Sequence, residues 1–150
     1  MSLPLYPFAR IVRDFLVEEG VGFDYSTGTD WAIATQKTPK LPHNAITVFD
    51  EAALKRDRPH SGTEVREDPV VSIMVRSEDH KEGFDKAIEV QTALDGLDYW
   101  TWTGDSDEGG QTVLISKTFR TRGIYQLGED DNKRNLFNLE FSFTLQTVTG

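Results

Sequence analysis

Near the end of the chain Phe137, Leu139, Phe141, Phe143 and Leu145 alternate with Asn138, Glu140, Ser142, Thr144 and Gln146. Successive side chains of a strand point to opposite faces, so this period of two predicts a strand with one buried and one wet face. A helical period stands at the start. Pro7 suits a first helical position, Phe8, Ile11, Val12, Phe15 and Leu16 recur at helical spacing with Arg10, Arg13, Asp14 and Glu18 facing away, and Gly20 ends the run. Residues 31–36 and 45–49 are short and rich in β-formers, with Pro39 and Pro42 between them, and predict two strands.

The segment 50–68 is charged and broken by Arg58-Pro59 and Ser61-Gly62, which predicts a long exposed loop or an extended hairpin. Val70, Val71, Ile73, Met74 and Val75 occupy both alternating sets, as in a central strand covered in part on both faces. Asp79 with Glu82 three residues on resembles an N-cap arrangement; Phe84, Ala87, Ile88, Gln91 and Leu94 then make one helical stripe, and Gly96 is the stop. Residues 105–110 read as an exposed turn, followed by a strand over 112–121 and another over 123–127.

The order is helix, strands, helix, strands, with no βαβ alternation and no internal repeat. The expected fold is α+β, a mainly antiparallel sheet packed against two helices as a two-layer sandwich with an extended loop or hairpin, in one domain over residues 1–150. The helices should cover the apolar face of the final strand, with Phe141 and Phe143 against the Phe84 stripe.

Composition supports a packed core. A chain of 150 residues buries roughly 70% of its unfolded surface, and nine Phe, three Trp and four Tyr supply apolar area while 27% charged residues keep the surface wet. Without cysteine there is no disulfide, thiolate metal site or cysteine nucleophile. Charges within the first twenty residues argue against a signal peptide, and no stretch approaches a membrane span. A net charge of −9 excludes a general nucleic-acid binder, because the surface repels a polyanion.

The search for chemistry turns up little. His43, His60 and His80 lie far apart, with no helical metal-binding pair. Asp105, Asp107 and Gly110 begin like a calcium loop, but its twelfth position is Ser116 instead of a bidentate Glu. Ser26 lacks the setting of a nucleophile elbow, and no glycine-rich phosphate cradle occurs. The sequence therefore implies no cofactor, no metal and no catalytic residue. Trp100 and Trp102, with Tyr99, read either as half-buried strand residues or as an aromatic docking surface or ligand platform. Basic residues cluster at Lys37 and Lys40, at Lys55, Arg56 and Arg58, at Lys117, Arg120 and Arg122, and at Lys133 and Arg134. They fit solvated loops, or subunit contacts with acidic neighbours.

Three stretches together resemble a known family. Pro42-His43-Asn44-Ala45-Ile46-Thr47-Val48-Phe49-Asp50, then Asp68-Pro69-Val70-Val71-Ser72-Ile73-Met74-Val75-Arg76-Ser77 leading into the second helix, then Leu127-Gly128-Glu129-Asp130-Asp131-Asn132-Lys133-Arg134 before the alternating strand, are similar in order and spacing to the tail terminator and related minor capsid, head-tail joining proteins of long-tailed bacteriophages. The likeness spans about 42–147, and departs where Glu51-Ala52-Ala53 stands in place of glycines common in similar proteins.

The resemblance implies a non-enzymatic virion protein, assembled in the host cytoplasm, that forms a homo-oligomeric ring, typically a hexamer. Its partners would be the tail tube protein and the head-tail connector or neck protein, with DNA passing through unbound and no membrane involved. Interface candidates are Asp50, Arg76, Asp130 and Arg134 on these stretches, with Glu51 directly after the first, joined by the basic Lys55, Arg56 and Arg58. Asp105, Asp107 and Glu108 are candidates to line the channel, where negative charge would ease the passage of DNA. The competing expectations are a head-side neck completion protein and a small hydrolase or ligand-binding domain built around Trp100 and Trp102.

Overall fold

The computed structural model describes residues 8–24, 30–57, 66–103 and 112–148, with side chains described outside 51–57, 66–68 and 145–148. Helix α1, Phe8–Glu18, buries Phe8, Ala9, Ile11, Val12, Phe15 and Leu16, the apolar face its spacing predicts. Helix α2, His80–Asp95, starts where the Asp79 carboxylate accepts the Glu82 amide at 2.9 Å and ends at Gly96.

Seven strands form one mixed sheet: β1 Phe23–Asp24, β2 Ala32–Thr35, β3 Ala45–Asp57, β4 Arg66–Ser77, β5 Trp100–Thr103, β6 Thr112–Glu129 and β7 Asn135–Val148. Their order is β1-β2-β3-β4-β7-β6-β5. The first three run parallel and the remaining pairs are antiparallel. The fold is α+β as expected, but the sheet curls into a half-barrel instead of lying as one flat layer of a sandwich.

The register of β6 on β7 supplies a physical reason for curling. Four shifts separate Thr112↔Val148 from Glu129↔Asn135, so β6 spends 18 residues along the 14 of β7. Each extra residue is a bulge that bends its strand and adds twist. The two short strands expected over 112–121 and 123–127 are therefore one long strand, and the break between them is one of its bulges, between Arg122 and Tyr125. The segment 50–68 takes the hairpin alternative, with β3 and β4 pairing as far as Asp57↔Arg66; residues 58–65 lie outside the described residues. Pro69 has no amide to donate, and the β3–β4 register shifts beside it, between Glu51 and Lys55.

The sheet wraps α1. On one side the Ala9 amide donates to Asp50 of β3 at 2.8 Å. On the other, β5 reaches α1 through Trp102 Nε1, which donates to Asp14 at 2.8 Å, and Trp100, whose ring meets Phe15 edge-on at 5.2 Å. The core between helices and sheet contains Ile46, Val48, Val71, Ile73, Phe137, Leu139, Phe141 and Phe143.

The expected partner of Phe143 is corrected. Phe143 packs on Phe8 of α1, with ring centroids 5.3 Å apart, while Phe84 touches Phe137 and stays 42% exposed. The buried stripe of α2 is Gly83, Ala87, Val90 and Leu94, so Ile88 also faces outward. Gly83 sets this rotation: a Cβ there would lie 2.8 Å from Phe137 Cε2 and 2.9 Å from Ser77 Cβ, and only a bare backbone lets the helix sit so close.

The sheet face turned away from the helices is polar yet enclosed. Thr47, Ser72, Asn138, Ser142 and Thr144 are all buried on it. Ser72 Oγ donates to Asn138 Oδ1, and Asn138 Nδ2 donates to the Tyr125 hydroxyl, each at 3.0 Å.

Candidate assembly surfaces

The three stretches that carry the family resemblance, far apart in sequence, meet at one cluster. Arg76, at the end of β4, is 3% exposed. It donates to the carbonyl oxygens of Pro42 at 2.6 Å, His43 at 3.2 Å and Lys40 at 3.4 Å. Arg134, 7% exposed, donates to Lys40 O at 2.8 Å and to the Asp130 carboxylate at 2.8 Å. Asp130 also accepts the backbone amides of Asn132 and Arg134, closing the β6–β7 turn in which Lys133 takes a left-handed φ of 60°. The β2–β3 connection, the β4 end and the β6–β7 turn are thus locked together.

Electrostatics follows from this geometry. Burial lowers the pKa of Arg76, and neighbouring Arg134 lowers it further, against the pull of Asp130. Burial by itself would raise the Asp130 pKa, but the Arg134 and Asn132 amides and the Arg134 guanidinium outweigh it and hold the carboxyl below its ordinary value. Arg76, Asp130 and Arg134 thus make their hydrogen bonds within the subunit.

Asp50 likewise works inside the chain. Its carboxylate accepts the Ala9 amide at the N-terminus of α1 and a hydrogen bond from Gln36 Nε2, while its own amide donates to Gln36 Oε1 at 3.0 Å. Burial raises its pKa, opposed by these hydrogen bonds. Of the other candidates, Glu51, Lys55 and Arg56 fall on the distal half of β3, where the register sets Lys55 opposite Asp68 and Arg56 opposite Glu67. Arg58, Asp105, Asp107 and Glu108 lie outside the described residues.

Trp100 and Trp102 take the strand reading. Trp102 is 6% exposed, and Trp100 Nε1 donates to Glu18 at 3.1 Å, so both rings serve the β5–α1 contact instead of a platform. An open groove of about 790 Å³ lies beside β2, lined by Arg13, Lys37 and Lys40 with Asp24, Ile33 and Leu41. Among the described residues its mixed lining offers no pair of converging acids. Among the described residues no group of three His, Asp or Glu is placed to hold a metal ion, and no helix is long and apolar enough to cross a membrane.

The surface that pattern reading missed is β6. β5 pairs only with Thr112 to Ile115, so from Ser116 to Glu129 the outer side of β6 has no strand partner among the described residues. Phe119 and Leu127 are 50% and 52% exposed there. Lys117 stands 4.7 Å over the Phe119 ring and Arg122 4.3 Å over Tyr125. The basic cluster was visible in the sequence, but its place on an unpaired edge follows only from the length of β5.

No protein-family model matches the chain, and no curated protein matches it in sequence. Solved structures do match in shape. A second solved chain aligns at 17% identity and a TM-score of 0.41, covering 92% of this chain and 96% of its own length. A chain of the virion of a native gene transfer agent particle aligns at 15% identity and a TM-score of 0.50, covering 97% of this chain and 99% of its own, and the protein therefore shares the fold of that virion chain over nearly the whole length of both.

Proposed function

We propose that this protein is a structural component of a tailed, phage-like particle, forming a homo-oligomeric ring that terminates the tail tube and joins it to the head connector. The observation that carries the reading is the end-to-end agreement in fold with a chain of a gene transfer agent virion. The convergence of the three family-like stretches on the Arg76–Asp130–Arg134 cluster adds to it, because the likeness then falls on one spatial unit. The warrant is fold and arrangement, not a reacting site.

A closed ring needs two different, complementary patches on each subunit. The long β3–β4 hairpin, with Glu51, Lys55 and Arg56, and the open side of β6 are the natural suppliers. Asp105, Asp107 and Glu108 would face the channel. Reversing those three charges should slow the exit of DNA from assembled particles, and unchanged ejection kinetics would remove them from the channel wall.

The deciding experiment is native mass over a wide concentration range, with and without preformed tail tubes. One defined multiple of 16.9 kDa, hexameric by expectation, that seats on tube tips and stops their growth supports the reading. A ring that binds the connector and ignores tubes assigns the protein to the head side of the neck. A persistent monomer that leaves tubes unaltered rejects the ring and returns the ligand-binding alternative.

A further inference from the structure

The two ends of the sheet carry opposite charge. At one end, β1 is the terminal strand, and the described residues around it, 18–24 and 30–31, contain Glu18, Glu19, Asp24 and Asp30, while Lys86 of α2 reaches in to donate to Val21 O at 2.8 Å and to lie over the Trp31 ring. Phe23 stands 55% exposed among these acids. At the other end, the stretch of β6 without a strand partner carries Lys117, Arg120 and Arg122, of which Arg120 pairs with Asp95 at 3.3 Å, and Phe119 stands 50% exposed. Among the described residues each patch is thus a strand edge without a strand partner that carries one exposed phenyl ring, and the exposed charges it offers a partner are Glu19 and Asp30 at one end and Lys117 and Arg122 at the other.

A second observation concerns α1. Its last turn contains no basic residue and ends in Glu18, with Glu19 next after it, at the negative pole of the helix dipole; Glu18 already accepts Trp100 Nε1, which leaves Glu19 facing a partner. An isolated acid there is unfavourable. A cationic surface brought up to this corner would offset that penalty, and Lys117 and Arg122, laid over aromatic rings and not engaged in any ion pair described, belong to such a surface.

We infer that the β1 corner of one copy docks against the β6 edge of the next, Phe23 beside Phe119 and acids against bases, so that the sheet continues from subunit to subunit. The inference rests on the ring reading and gives it an interface. The occupant of each patch is a second copy because the two patches complement each other in charge and in strand edge, and neither complements itself. Such a contact is head-to-tail, the kind that closes a ring. The four bulges of β6 then have a second effect: they prevent a flat, indefinitely repeating edge and restrict pairing to a short stretch.

The test uses two charge-reversed chains. Lys117→Glu/Arg122→Glu removes the basic patch, and Glu19→Lys/Asp30→Lys removes the acidic one; all four side chains are exposed. With unchanged melting temperatures, each variant alone should need at least roughly tenfold more protein than the parent to assemble, and an equimolar mixture of the two should recover the parent oligomer. A parent that assembles while both variants match it, or a mixture that fails to recover, overturns this pairing and leaves the ring reading standing. A parent that stays monomeric with and without tubes overturns the ring itself. Because the chain has no cysteine, a second variant needs no background correction: Phe23→Cys/Phe119→Cys should form a covalent ladder on oxidation, whereas either single cysteine should give no dimer. Efficient self-crosslinking of Phe119→Cys alone would show a symmetric contact and sink the proposal.

Discussion

The Arg76 guanidinium donates to the Pro42 carbonyl oxygen at 2.6 Å, joining the end of β4 to the β2–β3 connection across 34 positions of sequence. An arginine nearly withdrawn from water normally needs a carboxylate partner. Here backbone carbonyls take most of that part, and Asp130 serves Arg134 beside it. The fork of N–H groups is what lets one side chain reach three carbonyls at once.

Arg76→Lys should therefore behave as a disruptive change. A single ammonium cannot reproduce the Nε and Nη2 directions, and buried carbonyls left without donors cost about 1–3 kcal/mol each. The expected loss is about 2–4 kcal/mol, read from the midpoint shift in urea denaturation. A variant with the parent midpoint would show that the β2–β3 connection is held by other contacts.

Asp130 links this cluster to pH. Its carboxyl titrates below the ordinary value of 3.8 in the folded chain, so its contribution is fully present above 3.8 and is lost as pH falls through the lowered folded value. Asp130→Asn should lower stability at neutral pH and flatten the acid limb of the stability profile. Identical limbs in parent and variant, measured by thermal melts from pH 2 to 7, would contradict the assignment.

At Gly83 two effects oppose each other. Alanine in a helix interior is favoured over glycine by about 0.8–1 kcal/mol, but the added Cβ would meet the Phe137 ring at 2.8 Å and the Ser77 side chain at 2.9 Å. Forcing a methyl into such a contact costs about 1–3 kcal/mol. Gly83→Ala should therefore be net destabilising by up to about 2 kcal/mol in calorimetry, and a stabilised variant would mean that α2 can move off the sheet.

Thr47 offers the opposite case. It is fully buried, and its Oγ1 has no hydrogen-bond partner among the described residues. Thr47→Val keeps the shape and removes the orphaned hydroxyl, so stability should rise by about 1 kcal/mol. A loss on the same scale in urea titration would point to a partner for the hydroxyl, such as an ordered water.

How much of this was legible beforehand differs by element. α1, α2 and β7 each carry their own period, because one face of every helical turn or strand step must leave water, and local spacing records which. Resemblance marked the Pro42, Arg76 and Asp130–Arg134 stretches, yet pattern could not say that they touch, since nothing local fixes a contact across 34 or 94 residues. The expected rotation of α2 failed for a similar reason. Phe84 and Ile88 are as apolar as any core stripe, and the decision fell to Gly83, whose role depends on how close Phe137 and Ser77 approach.

The sequence by itself determined the class of fold, the amphipathic elements and the sign of the surface charge, because these follow from side-chain chemistry at regular spacing. Tertiary structure alone decided the curl, the buried arginine cluster and the open edge of β6. Bulges accumulate only where two strands of unequal length are made to pair, as the 18 residues of β6 and the 14 of β7 are, and an edge is open only where a neighbour such as β5 stops short.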